Sequence, residues 1–279
     1  MFFGSARVES LKLVLIDIDG TLYGPGGVPE CAWQAARRAK AAGLHLSICT
    51  GRPGRGWALH YAQELDPQGL HVFESGAVVV SGLGEVVRAS TLPKAAYQQL
   101  LELSRAYRIP FEVYTAQGGF FLESSHPDLL VHQQMLGLPA EHKNLDEVEG
   151  VVRVQFVQRP SPAWQEVRQE VMRMPEVELH EATSPGMPGV GFSSVTAAGV
   201  SKRTTAEWVA MQLGFGLSSC AMVGDGENDL ELIQAVALGI AMGNAQKVVK
   251  EAAHRVVGTV EACGLEQALE IILAGRVVR

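Results

Sequence analysis

Leu13-Val14-Leu15-Ile16 is an unbroken apolar run that stops at Asp17. A run this short and this rich in branched side chains suits a strand covered on both faces, as in parallel sheets whose crossover helices lie above and below. The next segments of the chain repeat the arrangement. A helix is predicted over 29–42, with Pro29 near its start and Gly43 just past its end. A second strand is predicted at 44–49, followed by Thr50-Gly51-Arg52-Pro53 and another helix to about residue 65. Residues 72–73 and 77–80 read as further strands, with a glycine-containing turn at 81–84. A β-α-β-α series of this kind has to wind into a mostly parallel sheet with helices on both sides.

Between 91 and 188 the rhythm changes. Helices are predicted at 93–107, after Pro127 and at 162–172, and strands at 111–115, 120–123, 151–157 and 177–182. Here strands follow one another through turns, which predicts an antiparallel α+β module. Thr183-Ser184-Pro185-Gly186-Met187-Pro188-Gly189 is turn-rich and reads as the linker back to the first unit. The parallel pattern then resumes with a helix at 201–213 and strands at 220–223 and 238–242. A closing amphipathic helix carries Leu265, Ala268, Leu269 and Ile272 on one face. The predicted fold class is α/β: a doubly wound, mostly parallel, Rossmann-like core from 1–90 and 189–279, with an α+β domain at 91–188 inserted as a cap. Hinges near 90–93 and 185–189 would let that domain open and close over the core.

Composition narrows the function classes. The formal net charge of -7 argues against nucleic acid as the main partner, because phosphate backbones want a basic face. A small anion remains compatible, since one local site can be positive on an acidic protein. No apolar stretch approaches the ~20 residues of a membrane helix, and the first apolar run is broken by Lys12 and two aspartates, unlike a secretory leader. The expectation is a cytoplasmic protein without membrane partners. Cys31, Cys49, Cys220 and Cys263 show no metal-ligand spacing, and all four are expected to be thiols in a reducing compartment.

In open α/β sheets ligands bind just beyond the carboxyl ends of the strands, and three predicted strand ends carry polar residues. They are Asp17-Ile18-Asp19-Gly20-Thr21, Thr50-Gly51-Arg52, and Gly224-Asp225-Gly226-Glu227-Asn228-Asp229. Lys202 opens the helix between the last two. Each alone has an ordinary explanation: an aspartate after a strand caps a helix, Asp225-Gly226 makes a tight turn, and a lysine at a helix start is solvated. Their joint occurrence in order at successive strand ends points elsewhere. Asp17, Asp19, Asp225 and Asp229 on one edge repel one another unless a cation lies among them, and carboxylates with water are the ligand set of Mg²⁺. Aspartates, a lysine and a hydroxyl suit a phosphate ester. The cations neutralise the phosphoryl oxygens, one carboxylate attacks phosphorus, and a second moves the proton of the leaving oxygen and then of water.

These residues resemble the four motifs of the haloacid dehalogenase superfamily, in order and in long spacing. Asp17-Ile18-Asp19-Gly20-Thr21 is similar to the first motif, Thr50-Gly51-Arg52 to the second, Lys202 in Gly199-Val200-Ser201-Lys202 to the third, and Gly224 to Asp229 to the fourth. Ala241-Met242-Gly243-Asn244-Ala245 is similar to the C-terminal region of Cof-type phosphatases, whose large α/β cap lies between motifs two and three. The resemblance implies that Asp17 is the nucleophile and a Mg²⁺ ligand. Asp19 would be the general acid/base, with its backbone carbonyl on the metal. It implies Asp225 as a metal ligand, Asp229 as support for the metal shell and Lys202, and Thr50, Gly51, Lys202 and Asn228 as phosphate-binding. The substrate class it implies is a small phosphorylated metabolite, such as a sugar phosphate, phosphoglycolate or a related phospho-acid. Two departures stand out: Ser75-Gly76 where the family commonly has Asn-Gly, and Arg203 where it commonly has Gly after the lysine.

Other candidates are weaker. Gly51-Arg52-Pro53-Gly54-Arg55-Gly56 matches neither a dinucleotide fingerprint nor a P-loop and reads as a helix entry. His126, His132, His142, His180 and Arg153 fall in the inserted domain and are expected mostly at its surface. Two further functions share the motif set. A phosphotransferase or sugar-phosphate mutase would pass the phosphoryl group to a hydroxyl, and a binding protein would keep the fold without turnover.

Overall fold

The computed structural model describes residues 11–184 and 186–277. The chain first lays down β1 (Leu13–Ile16), α1 (Glu30–Ala41), β2 (His45–Ile48), α2 (Gly56–Leu65), β3 (Leu70–Phe73), β4 (Val78–Ser81) and β5 (Val86–Ala89). It then builds α3 (Lys94–Tyr107), β6 (Phe111–Thr115), β7 (Phe120–Leu122), α4 (Pro127–Leu136), β8 (Glu141–His142), β9 (Val151–Gln158), α5 (Pro162–Met172), β10 (Val177–Thr183) and β11 (Gly191–Ala197). It closes with α6 (Lys202–Gln212), β12 (Cys220–Gly224), α7 (Leu230–Ala235), β13 (Leu238–Ala241), α8 (Lys247–Ala252), β14 (Arg255–Val256) and α9 (Gly264–Val277).

The core sheet is parallel, in the order β14-β13-β12-β1-β2. β1 lies between β12 and β2, and each of its four side chains is 1% exposed or less. Burying each such aliphatic side chain contributes about 1.5–3 kcal/mol, so a four-residue apolar run is enough to hold the middle of the sheet. Val14 and Ile16 pack with α1 and α9 residues on one face, while Leu13 and Leu15 join α6 residues on the other. The β3-β4-β5 sheet is antiparallel and continues from β2 through a parallel bridge between Cys49 and Val72.

The inserted domain is a six-stranded sheet, β10-β11-β9-β6-β7-β8, antiparallel except for the β7–β8 pair. Its α3 and α5 cover one face, where Tyr97, Leu100, Trp164 and Val167 pack against Phe111, Val154 and Phe156. The expected α/β class with an antiparallel-containing inserted domain is therefore borne out.

One expectation needs correction. The segment 183–189 does not return the chain to the core. It is the loop of a hairpin, because β11 pairs along its length with β10 and over most of it with β9. We place the end of the inserted domain at Ala197 and the return at 198–201, leading directly into α6. The strand pattern of β11 is hidden in the sequence because Ser193, Ser194 and Thr196 make it read as polar, although all three are buried. Pro185, within the expected hinge, lies outside the described residues.

The cysteines also differ from expectation. Cys49 and Cys220 are buried free thiols, but Cys31 and Cys263 form a disulfide across a sequence separation of 232. Packing of α9 against α1 places their Cα atoms 6.1 Å apart. A four-thiol reading thus no longer supports a reducing compartment. Among the described residues, no helix is long and apolar enough to cross a membrane.

Candidate active site

Strand register assembles the site. Ile16 of β1 lies opposite Val223 of β12 and Ile48 of β2, so the residues just beyond all emerge at one edge. Asp17, Thr50 and Asp225 line a common cavity of about 540 Å³ between this edge and the inserted domain. The turn after β1 brings the chain against the Asp225 loop. Gly20 has φ of +78°, and a Cβ there would meet Asp225 Oδ2 at 2.1 Å. Only glycine fits this approach.

Lys202 is the first residue of α6, where Ser201 caps the helix and Thr204 completes a capping box. This pins the lysine start so that its Nζ lies 2.8 Å from Asp17 Oδ1 and 2.6 Å from Asp229 Oδ1, all three side chains being buried. The other oxygen of Asp229 accepts the N–H groups of Asp225 and Gly226, each at 3.2 Å. Asp229 therefore shapes the fourth-motif loop and holds the lysine, with no oxygen left over. Asp225 receives Thr21 Oγ1 at 3.3 Å and Asn244 Nδ2 at 3.1 Å, and the same Asn244 amide donates to Gly20 O at 2.7 Å.

Asp19 points elsewhere. Its oxygens take a two-pronged grip from Arg52, and Ser184 of the β10–β11 loop donates to Oδ1 at 2.9 Å. Burial alone would raise its pKa, but the Arg52 guanidinium outweighs this and, with the Ser184 hydroxyl, holds the carboxyl below the usual range. Asp17 differs. Burial pushes it up to about 7, with Lys202 opposing and Asp229 adding to the rise. Burial with Asp17 and Asp229 nearby pushes Asp225 up to about 8. Lys202 is raised despite its burial, because two carboxylates face it.

The donor set fits a divalent cation. Oxygens of Asp17, Asp225 and Asp229 lie within 4.8 Å of one another. Four carboxylates gather here around Lys202 and Arg52, and burial, with the neighbouring carboxylates adding to it, raises Asp17 and Asp225. Asp229 is the most heavily engaged of the three, with one oxygen on Lys202 and the other on two backbone N–H groups. The Asp19 carboxylate is turned away from this cluster and onto Arg52.

Thr50 is 1% exposed, and its Oγ1 accepts the Arg52 N–H at 3.2 Å. A Cβ on Gly51 would sit 3.3 Å from Ser75 Oγ. Ser75, the departure from Asn-Gly, thus flanks the Thr50-Gly51 turn, and it holds a left-handed backbone at φ 57°. Asn228 lines the cavity beside Asp225. Arg203 pairs with the exposed Glu231, away from the carboxylate cluster.

The inserted domain supplies the ceiling, and here the expectation of surface residues fails in part. His126 and His142 are exposed, but Arg153 is 1% and His132 5% exposed. Arg153 pairs with Glu74 of the core, stacks over Tyr114 and bonds Ser194. Glu112 accepts from His132, Tyr114 and Gln155. His180 contacts Thr196 Oγ1 and Val200 O, and burial pushes it down to about 4, leaving it neutral. The signal for these residues lies in β9. Arg153 and Gln155 alternate with Val152, Val154 and Phe156, so one face of a buried strand is polar. Arg52 is legible as part of Thr50-Gly51-Arg52, whereas Ser184 carries no local signal.

A family model described as haloacid dehalogenase-like hydrolase matches residues 14–269. The chain is 24% identical over 260 residues to the 5-amino-6-(5-phospho-D-ribitylamino)uracil phosphatase YcsE of Bacillus subtilis, covering 93% of this chain and 94% of that protein. It is 25% identical over 269 residues to the phosphoglycolate phosphatase of Pyrobaculum neutrophilum, covering 95% and 96%. A solved haloacid dehalogenase-like hydrolase from Bacteroides thetaiotaomicron matches in fold, with a TM-score of 0.81 at 23% identity over 94% of this chain and 100% of that one. The family match begins in the strand that precedes Asp17 and runs through the inserted domain, Lys202 and the Asp225 loop into α9. The resemblance seen in the motifs is thereby borne out, and the chain belongs to the haloacid dehalogenase-like hydrolases, as a phosphatase.

Proposed function

We propose that this protein hydrolyses the phosphomonoester of a small phosphorylated metabolite through an aspartyl-phosphate on Asp17, in a Mg²⁺-dependent reaction. The observation that carries this reading is the difference between two aspartates two residues apart. Asp17 lies in the carboxylate cluster against Lys202, while Asp19 is turned out of it onto Arg52 and Ser184. Two carboxylates in separate surroundings can take separate roles.

Asp17 attacks phosphorus, and the bond to the leaving oxygen breaks with its electron pair on that oxygen. Asp19 takes up a proton from solvent as the negatively charged phosphate ester enters beside it and offsets the Arg52 grip, and it gives that proton to the leaving oxygen. Water then attacks the aspartyl-phosphate, Asp19 takes the proton from it, and inorganic phosphate leaves. Lys202 holds Asp17 in line and offsets charge on the phosphoryl oxygens, which Thr50, Gly51 and Asn228 bind. Mg²⁺ held by Asp17, Asp225 and the Asp19 carbonyl would supply charge neutralisation at the phosphoryl group. Asp229 supports the lysine and the loop. The polar ceiling of Gln155, Ser194 and His180, the first two of them buried, suits a hydroxylated leaving group, which favours sugar phosphates and related small esters.

Phosphate release with Mg²⁺ from a panel of phosphorylated metabolites tests the reading. Asp17→Asn is expected to abolish turnover on every substrate the native protein accepts, and undiminished release by that variant would overturn the assignment.

A further inference from the structure

Ser184 is separated from Asp19 by 165 positions and belongs to the other domain, yet its hydroxyl donates to Asp19 Oδ1 at 2.9 Å. The loop that carries it is closely held. Met187 N–H bonds Ser184 O at 3.1 Å, Gly186 N–H approaches Ser184 Oγ at 3.4 Å, and Met187 and Val190 are buried in the main apolar cluster. Ser184 itself is 7% exposed. Its hydroxyl proton has one strong acceptor, since the alternative, Met135 Sδ at 3.5 Å, accepts only weakly.

Resting on the assignment of Asp19 as the acid/base, we propose that Ser184 is a positioning residue that makes closure of the inserted domain set the Asp19 carboxylate for proton transfer. Oδ1 receives both Ser184 Oγ and Arg52 Nη2, whereas Oδ2 receives Arg52 Nε alone. The doubly bonded Oδ1 becomes the anchored oxygen, and Oδ2 keeps the open lone pair that carries the proton to the leaving oxygen. When the inserted domain lifts, Ser184 goes with it, and Asp19 retains only the Arg52 grip. The acid is therefore aligned in the state that shuts water out, which couples closure to chemistry rather than to binding. The loop expected to be a hinge is in this reading the part of the inserted domain that reaches the reacting groups.

The test uses leaving-group dependence. An acid matters for a poor leaving group and little for a good one. The native protein, Ser184→Ala and Ser184→Thr are assayed with Mg²⁺ on phenyl phosphate and p-nitrophenyl phosphate, two esters of similar shape. The quantity read is kcat/KM, which reports the first phosphoryl transfer. Ser184→Ala is expected to lose about tenfold or more on phenyl phosphate while p-nitrophenyl phosphate is nearly unaffected, and Ser184→Thr is expected to retain both. Equal losses on the two esters, or no loss on either, would overturn the positioning role even with native activity intact. Thermal unfolding of each variant identifies any general loss of structure. Failure of the underlying reading has a different signature: Asp19→Asn would then keep native turnover on phenyl phosphate.

Discussion

Arg52 Nε lies 2.7 Å from Asp19 Oδ2 and Arg52 Nη2 lies 2.8 Å from Asp19 Oδ1, so one guanidinium spans the whole carboxylate. The guanidinium carbon also sits 5.1 Å from the centre of the Tyr23 ring, which stacks in turn on Tyr61. A planar fork with a ring against its face fixes the carboxylate plane, which a lysine ammonium cannot do. Arg52→Lys is expected to keep the charge, lose the alignment and lower kcat/KM by about tenfold or more. Steady-state kinetics on any accepted ester checks it, and full activity would show that the fork is dispensable.

Lys202 separates two buried carboxylates. Replacing it with methionine leaves Asp17 and Asp229 without their shared cation, a change that costs about 3–5 kcal/mol when a buried pair is broken. Lys202→Met is therefore expected to be less stable in urea at neutral pH and inactive. The double variant Lys202→Met with Asp229→Asn relieves one stranded charge and should recover part of the stability without recovering turnover.

Metal binding should register in stability as well as in activity. A ligand that binds only the folded state stabilises it by about 2.7 kcal/mol at a hundred times its dissociation constant. Adding MgCl₂ to EDTA-treated protein is expected to raise the thermal midpoint. Asp225→Asn is expected to abolish that increment while remaining folded, and an unchanged response in the variant would remove Asp225 from the ligand set.

His71 provides a pH dependence separate from the carboxylates at the strand ends. Its Nδ1 accepts the Ile48 N–H at 3.1 Å, which requires the neutral ring, and its Nε2 donates to Asp66 O at 2.9 Å, which fixes the tautomer. Burial pushes its pKa down to about 4. Between about 6.5 and that value the unfolded chain binds a proton that the folded chain refuses, so stability falls as pH falls through this window. The contribution is fully present above about pH 6.5, and the loss reaches about 3 kcal/mol at the low end. Urea unfolding at about pH 7 and about pH 4.5 should show a smaller acid loss for His71→Gln than for the native protein.

The carboxylate-bearing edge is readable because it is written locally. A buried parallel strand has to be apolar, so an aspartate directly after Ile16 marks where the strand reaches the sheet edge, and Thr50 and Asp225 mark the same event on its neighbours. The ceiling is harder to read. Arg153 and His132 look like surface groups because nothing near them in sequence shows that Glu74 and Glu112 lie opposite. Ser184 looks like linker because a turn-rich segment reads the same whether it joins two domains or closes a hairpin.

The sequence by itself determined the parallel core, the inserted antiparallel domain and the set of carboxylates at the strand ends, because periodicity and strand termination are local consequences of burial. Only the tertiary structure decided that Asp19 faces Arg52 and Ser184 rather than the cluster around Asp17, and that Cys31 meets Cys263. Those contacts join residues 33, 165 and 232 positions apart. Separations of that kind are set by how whole elements pack, and no property of the intervening residues encodes them one position at a time.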